Sequence, residues 1–250
     1  MKGVILAGGA GTRLKPLTDT LNKHLLPLAG RPMIHYPAAT LATLGVTEAL
    51  VVSDERWLES LRAALDSDRF AGVRFSFAAQ NTPDGIVGAL RCAQQFADNS
   101  PLAVILGDNA LERAPENTVR AFAENPRGAQ VFHTTVKNPG EFGVATLNGE
   151  HITALEEKPA APASHHAIIG LYLYDTTVFD RVSRLRPSAR GEYEITDLNR
   201  SYLADNALRG APLDGWWVDC GSHESLRRAE ELIAARPPQW LKKQQAETRI

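Results

Sequence analysis

The chain has 250 residues, 44% of them hydrophobic, enough to bury a full core, most simply as one α/β domain with excursions. Its 27 basic and 29 acidic residues leave a net charge of −2, so no global basic field favours a nucleic-acid partner. Two cysteines far apart, Cys92 and Cys220, suggest neither a disulfide framework nor a metal knuckle, and no apolar run approaches the roughly 20 residues of a membrane span.

The first apolar run, Lys2–Ala7 (KGVILA), is too short for a signal peptide and has β character, so the expectation is a soluble, cytoplasmic protein with no membrane partner. It stops at Gly8-Gly9-Ala10-Gly11-Thr12, a turn with almost no side chain, followed by Arg13. Glycines permit positive φ and let a bulky anion approach the main chain, and successive N–H groups in such a turn make a concave anion site. Lys23 comes ten residues after Arg13, just before Leu25-Leu26-Pro27. Together these suggest a phosphorylated ligand. The loop is not a P-loop, since no Gly-Lys-Ser/Thr follows, and it lacks the third glycine of the dinucleotide fingerprint. The same residues also suit a plain strand-to-helix turn with a solvated arginine.

Further along, the spacing predicts a helix over Met33–Leu44 ending at Gly45, a strand over Glu48–Val52, and a helix over Glu55–Leu65. A strand over Val73–Ala78, a helix over Gly85–Phe96 and a strand over Leu102–Leu106 follow, the last running into Gly107-Asp108-Asn109. This alternation argues for a parallel sheet with helices on both faces and a site at the carboxyl ends of its strands. From Ala129 the rhythm changes: strand-like pieces at Gln130–Val136, Gly143–Leu147, Ile152–Leu155 and Ile168–Tyr174 have fewer helices between them. Pro159–Ser164 is a biased surface loop, and no internal repeat is visible. Ser222 is a good N-cap for a helix to Ala235, which Arg236-Pro237-Pro238 breaks, leaving a polar tail, Gln239–Ile250.

Several stretches carry chemistry. In Gln80-Asn81-Thr82-Pro83-Asp84-Gly85 the glutamine amide can match the imide edge of uracil or thymine, although the segment also reads as a polar loop with a turn at Pro83-Asp84-Gly85. Asp108 and Asp219 each follow an apolar run, and two carboxylates at two strand ends suit a hard cation such as Mg²⁺ beside phosphates. No basic residue neighbours either in sequence as a structural partner, and either aspartate alone could simply cap a turn. Leu155-Glu156-Glu157-Lys158-Pro159 reads plainly as a charged strand end. His165 and His166 are adjacent, so on a strand they point to opposite faces and are not expected to form a metal pair.

The string GGAGTRLKPLT followed by NKHLLPLAGRPMI, with EEKP further on, closely resembles the signatures of sugar-1-phosphate nucleotidyltransferases, in particular glucose-1-phosphate thymidylyltransferases. The resemblance implies a Rossmann-like, mostly parallel central sheet with helices on both faces, plus a smaller mixed-sheet sugar-binding part. It implies one nucleotidyltransferase domain over 1–236, with a nucleotide-binding half at 1–128, a sugar-phosphate half at 129–236 and a tail at 237–250. By residue, it implies that Leu6, Gly8, Gly9, Gly11, Thr12, Arg13, Gln80, Pro83, Gly85 and Asp108 bind a pyrimidine triphosphate, with Arg13 and Lys23 catalytic. Phe142, Gly143, Glu157, Lys158, Ile168, Tyr172 and Arg190 would hold the sugar phosphate, and Asp108 and Asp219 a magnesium ion. A sugar-phosphate oxygen would then attack the α-phosphorus with pyrophosphate leaving. A sensor that keeps the pocket without catalysis is the competing reading, and a dinucleotide oxidoreductase is more distant for want of the fingerprint.

Four positions depart from the pattern. His24 and Gly88 each stand where glutamine is usual, Phe142 where tyrosine is common and Ile169 where threonine is common, and the last two changes would remove hydroxyls from the sugar pocket. The resemblance covers nearly all of the chain, which looks like a short form lacking the C-terminal helices that help build a second nucleotide site. Product inhibition is then expected at the active site itself, and assembly through the main body, with a two-fold dimer favoured.

Overall fold

The computed structural model describes residues 1–66, 70, 72–82, 84–188 and 191–242. Among them the first half runs β1 (Lys2–Leu6), β2 (Pro27–Leu28), β3 (Arg31–Pro32), α1 (His35–Thr43), β4 (Glu48–Ser53), α2 (Leu58–Leu65), β5 (Arg74–Ala79), α3 (Ile86–Arg91), α4 (Gln94–Ala97), β6 (Leu102–Leu106), β7 (Asn109–Leu111) and α5 (Glu116–Glu124). The second half runs β8 (Ala129–Thr135), β9 (Gly143–Asn148), β10 (His151–Glu157), β11 (His166–Tyr174), α6 (Val178–Arg184), α7 (Ile195–Ala204), β12 (Leu208–Pro212), β13 (Trp217–Asp219) and α8 (His223–Ala235).

Strands β6, β1, β4 and β5 lie side by side and parallel. The near-continuous apolar sequences of β1, β4 and β6 follow from burial on both faces, whereas β5, RFSFAA, is the half-exposed edge strand. Alternation then divides them between two cores: Val4, Leu6, Leu50, Val52, Leu102 and Val104 face α3, α4, α6 and α7. Ile5, Ala49, Val51, Ala103 and Ile105 face α1, α2, α5 and α8. The order places β4 on one side of β1 and β6 on the other, so the chain reverses its winding at β1 and opens a crevice at the carboxyl ends there.

The mixed strands expected for the second half do not form a detached sheet. Strand β11 pairs antiparallel with β6 through Leu171–Tyr174 and with β9 through His166–Ala167, while β8 lies along its other edge, so one nine-stranded sheet carries both halves. The register shifts between Ile168 and Tyr172, at Gly170, where a Cβ would lie only 2.6 Å from Asn109 Oδ1.

Two segments differ from the sequence expectation. The helix expected over Gly85–Phe96 is two pieces, because Cys92 and Ala93 donate to the carbonyls of Ala89 and Leu90 in tighter three-residue steps that turn the chain between α3 and α4. The polar tail is not free through residue 242. Gln239 N–H donates to the Glu112 carbonyl, Trp240 packs edge-on against Tyr36 with centroids 5.5 Å apart, and Leu241 is buried beside it. Among the described residues no helix is long and apolar enough to cross a membrane. Trp240→Ala is expected to lower unfolding stability by about 3 kcal/mol, as for other buried tryptophans; a urea midpoint equal to that of the parent chain would show that this segment adds no packing.

Candidate active site

The glycine turn leaves β1 at Leu6 and Ala7, and its backbone is fixed from both flanks. Ala7 N–H donates to the Val52 carbonyl, Ser53 Oγ donates to the Ala7 carbonyl at 2.7 Å, and Gly107 N–H donates to the Leu6 carbonyl at 2.8 Å. Gly9 and Gly11 have φ of +97° and +62°, conformations that L side chains rarely take, and Gly11 opens the short turn Thr12–Leu14 that carries Arg13. Thr18 Oγ1 closes the loop by donating to the Gly11 carbonyl at 2.8 Å.

Two short elements bring the charged groups to this loop. Asn22 caps the turn Lys23–Leu25 by accepting from the His24 N–H, which turns Lys23 inward. Strand β6 ends at Gly107-Asp108, and β7 pairs antiparallel with β13 so that Asn109 faces Asp219. The Cys220 N–H also donates to the Asp108 carbonyl at 2.8 Å, so the two aspartates are neighbours. The sequence offered no basic partner for them; the fold supplies one, with Lys23 Nζ 2.5 Å from Asp108 Oδ2 across 85 residues of chain. Arg13 approaches from the other side, since a Cβ at Gly221 would lie 2.7 Å from its Nη2 and 2.8 Å from Asp219 Oδ1.

Burial disfavours both charges of the Lys23–Asp108 pair, but their mutual attraction wins, holding the Asp108 carboxyl well below its usual range and the ammonium above. Asp219 goes the other way: burial and the Asp108 charge raise it against the pull of Lys23 and Arg13. His24, beside them, is neutral, held at about 3 by burial and by Lys23. Its Nδ1 donates to Asn22 Oδ1 at 2.8 Å, and its ring packs over Gly107. Asn109 was quoted in the sequence only as a neighbour of Asp108, yet it organises the region. It donates to Asp108 Oδ1 at 3.1 Å and accepts from Trp217 Nε1 at 2.5 Å and Gly170 N–H at 3.0 Å.

Gln80 ends β5 on the opposite rim. Its Oε1 stands 3.1 Å from where a Cβ of Gly8 would be, and its Nε2 donates to Asp84 Oδ1 and the Gly85 carbonyl. On the sugar side, Gly143 and Glu157 are paired in register across β9 and β10, and Lys158 N–H donates to the Phe142 carbonyl at 3.0 Å. Lys158 Nζ lies 3.7 Å from Glu157 Oε1, and Thr196 Oγ1 donates to Glu157 Oε2 at 2.5 Å. Thr196 is not singled out by the sequence, because only the return of α7 to this strand end brings it to Glu157. Tyr172 is buried and its hydroxyl is pushed up by burial and by the charges of Glu157, Asp219 and Asp108, so Glu157 and the aspartate pair share one field.

Pro83 and Arg190 lie outside the described residues. Ile169 is fully buried in the core, so its replacement of a threonine bears on packing and not on an open pocket, whereas the Phe142 ring sits 5.2 Å from Trp217. His165 lies just before β11 with its Nδ1 at the Val136 carbonyl, and His166 opens the strand with its ring against His133, so the two are loop and strand-entry residues. A cleft of about 770 Å³ lined by Arg113, Glu116, Asn117, Arg120, Asp214 and Gln239 opens elsewhere, and none of the sequence-predicted site residues line it.

A glycine turn lies beside an amide, two cations and two carboxylates, the groups expected from the sequence around a triphosphate, and the nucleotidyl transferase sequence model matches residues 2–236. The chain belongs to the nucleotidyl transferase family. It is 40% identical over 237 residues to the glucose-1-phosphate thymidylyltransferase of Neisseria meningitidis, covering 93% of this chain and 82% of that protein. A Bacillus anthracis protein assigned as a glucose-1-phosphate thymidylyltransferase, crystallised with sucrose, superposes with a TM-score of 0.88 at 40% identity, covering 93% of this chain and 94% of that one. A UDP-glucose pyrophosphorylase complexed with UDP-glucose superposes with a TM-score of 0.82 at 25% identity, covering 94% and 98%.

For a nucleotidyl transferase, two duties of Lys23 are separable: it offsets the buried Asp108 charge, and we propose that it faces the phosphates. Lys23→Ala is expected to lower kcat/KM by ~10²-fold. Unlike an exposed cation it should also cost about 3 kcal/mol of stability, because Asp108 loses its buried partner. Steady-state kinetics and denaturant unfolding on one sample check both, and retention of either quantity removes the corresponding duty.

Proposed function

We propose that this nucleotidyl transferase joins a pyrimidine nucleoside triphosphate, dTTP or UTP, to a sugar 1-phosphate, with glucose 1-phosphate the first choice, giving the nucleotide sugar and pyrophosphate. The observation that carries the reading is the crevice at the ends of β1 and β6, where one loop of glycines lies between the Gln80 amide and the Arg13, Lys23, Asp108, Asp219 group. The relatives named as glucose-1-phosphate thymidylyltransferases support the same choice of substrates.

In this reading residues 1–128 handle the nucleotide and 129–236 the sugar phosphate, in a cytoplasmic enzyme working as a two-fold dimer. Loop N–H groups, Arg13 and Lys23 hold the triphosphate chain, and Gln80, Gly85 and Pro83 serve the base. Glu157, kept in place by Thr196, accepts hydrogen bonds from sugar hydroxyls, while Lys158 and Arg190 hold the sugar phosphate. A sugar-phosphate oxygen, already ionised at neutral pH, forms a bond to the α-phosphorus in line with the bond that breaks. That bond's electron pair leaves on pyrophosphate. Such chemistry is mostly positioning and charge neutralisation, so cations and amides are needed and a strong base is not.

The donor set fits magnesium. Two carboxylate oxygen donors sit close enough that the Asp108 charge raises the Asp219 carboxyl, and no group of three or more His, Cys, Asp or Glu forms a metal centre among the described residues. Mg²⁺ is commonly held by one or two carboxylates together with substrate phosphates. When bound by Asp108 and Asp219 it would supply positive charge to the phosphate oxygens.

The test is pyrophosphate release from a panel of triphosphates against sugar 1-phosphates. dTTP and UTP are expected within roughly tenfold of each other, because a methyl contact is worth only ~1 kcal/mol, with ATP and GTP poor. Asp108→Asn and Asp219→Asn should each cut turnover by ~10²-fold or more without unfolding the chain. Efficient use of ATP or GTP overturns the base reading, near-normal activity of Asp108→Asn at low magnesium overturns the metal reading, and no pyrophosphate from any pair overturns the enzyme reading.

A further inference from the structure

The amide of Gln80 is not free to choose which end it shows. Its Nε2 has two hydrogens, and both are engaged, one on Asp84 Oδ1 at 3.1 Å and the other on the Gly85 carbonyl at 3.3 Å. Only Oε1 remains, on the side of the glycine turn. Asp84 reaches this position because Gly88 has no side chain: a Cβ there would lie 1.7 Å from Asp84 Oδ1, 2.3 Å from its Cγ and 2.7 Å from Oδ2. Any other residue at 88 must expel the carboxylate.

The acceptors are themselves held. Arg91 Nη1 lies 3.7 Å from Asp84 Oδ2, and its guanidinium lies over the Tyr193 ring, 3.9 Å from the centroid. Tyr193 N–H donates to the Asp84 carbonyl at 2.9 Å, and its own carbonyl accepts from Val87 N–H at 3.3 Å. Gly85, at φ +98°, is pressed against the same backbone, with a Cβ there only 2.8 Å from the Tyr193 oxygen. The carboxylate and the carbonyl that fix the amide are therefore positioned by α3 and by the segment leading into α7.

We propose that Asp84, admitted by the absent side chain of Gly88, is a positioning residue that locks the Gln80 amide with its carbonyl toward the nucleotide, so that the site accepts a base presenting a ring N–H and refuses cytosine. The proposal rests on Gln80 facing the base. Uracil and thymine carry a hydrogen on N3 that a carbonyl accepts. Cytosine carries a lone pair at N3, which a fixed carbonyl repels. An unrestrained glutamine would turn its amide over and donate to that lone pair, but here the turn costs both Nε2 bonds and sets the amide oxygen against a carboxylate. Sites built around a fixed hydrogen-bond polarity discriminate far more strongly than apolar ones.

The experiment compares kcat/KM for UTP and CTP, with one sugar 1-phosphate, in the full chain. The parent is expected to favour UTP strongly. Asp84→Ala should narrow the UTP-to-CTP ratio roughly tenfold, chiefly by improving CTP, the size expected when one fixed hydrogen-bond partner is released. Gly88→Ala should do the same while keeping Asp84 itself, which guards against a folding defect in the first variant. Asp84→Asn, whose amide oxygen still accepts from Gln80, should hold the ratio near the parent's. A merely structural role for Asp84 would lower both rates and leave the ratio alone. An unchanged ratio in both Asp84→Ala and Gly88→Ala, with a collapsed ratio in Gln80→Ala, overturns the lock and leaves the base reading standing. A parent that does not discriminate, or a Gln80→Ala variant that discriminates as the parent does, overturns both.

Discussion

An ammonium and a carboxylate 2.5 Å apart, largely withdrawn from solvent beside a second carboxylate, are costly to bring together, and they stay in place because backbone on three sides fixes them. Lys23 arrives on a three-residue turn whose cap, Asn22, is itself buried. Asp108 is fixed through Gly107, whose N–H is bonded to β1. Asp219 is delivered by a short ribbon with β7, and Asn109 ties that ribbon to β11 through the Gly170 N–H. None of these supports is long, and all end within a few residues of the site.

The arrangement makes electrostatic sense for a ligand that brings several negative charges. Lys23 pairs with Asp108, and the exposed Arg13 lies within electrostatic reach of Asp219, so neither carboxylate is stranded. Charges fixed before a substrate enters need no reorganisation when charge moves in the transition state. The overall balance of −2 is irrelevant to this, because what matters lies within one crevice.

What was legible in the sequence was local. KGVIL followed by glycines and LAVIL followed by Gly-Asp-Asn have apolar runs that only a strand buried on both faces needs, and both strands appear within a residue of the expected limits. The Ser222 cap was legible for the same reason, since its partner Ser225 is three residues away. What was not legible depended on distant partners. Nothing near Gln239–Ile250 shows that Trp240 meets Tyr36, and nothing near Asp108 shows that Lys23 neutralises it. The break between α3 and α4 also escaped, because Cys92 and Ala93 are ordinary in a helix and the tightening comes from packing. Gly88 read as a missing glutamine, and only the folded chain brings the Asp84 carboxylate into the space.

The continuity of the sheet bears on how the two substrates meet. Strand β11 carries Tyr172 beside the parallel strands and Ile168 beside β8, with the register shift at Gly170 between them. Across the front, the Phe142 ring leans on Trp217, two residues before Asp219, and Phe142 also accepts from the N–H of Lys158. The entry to β9, the end of β10 and the strand that carries Asp219 are thus in one mechanical unit. In-line displacement tolerates little error, since a misplacement of about 1 Å can cost ~10²-fold in rate. A sugar-binding part on a detached sheet would add its own motion to that error. In the proposed division of the two substrates, joining both halves through β11 makes the distance between attacking oxygen and phosphorus depend on sheet register instead of on a hinge.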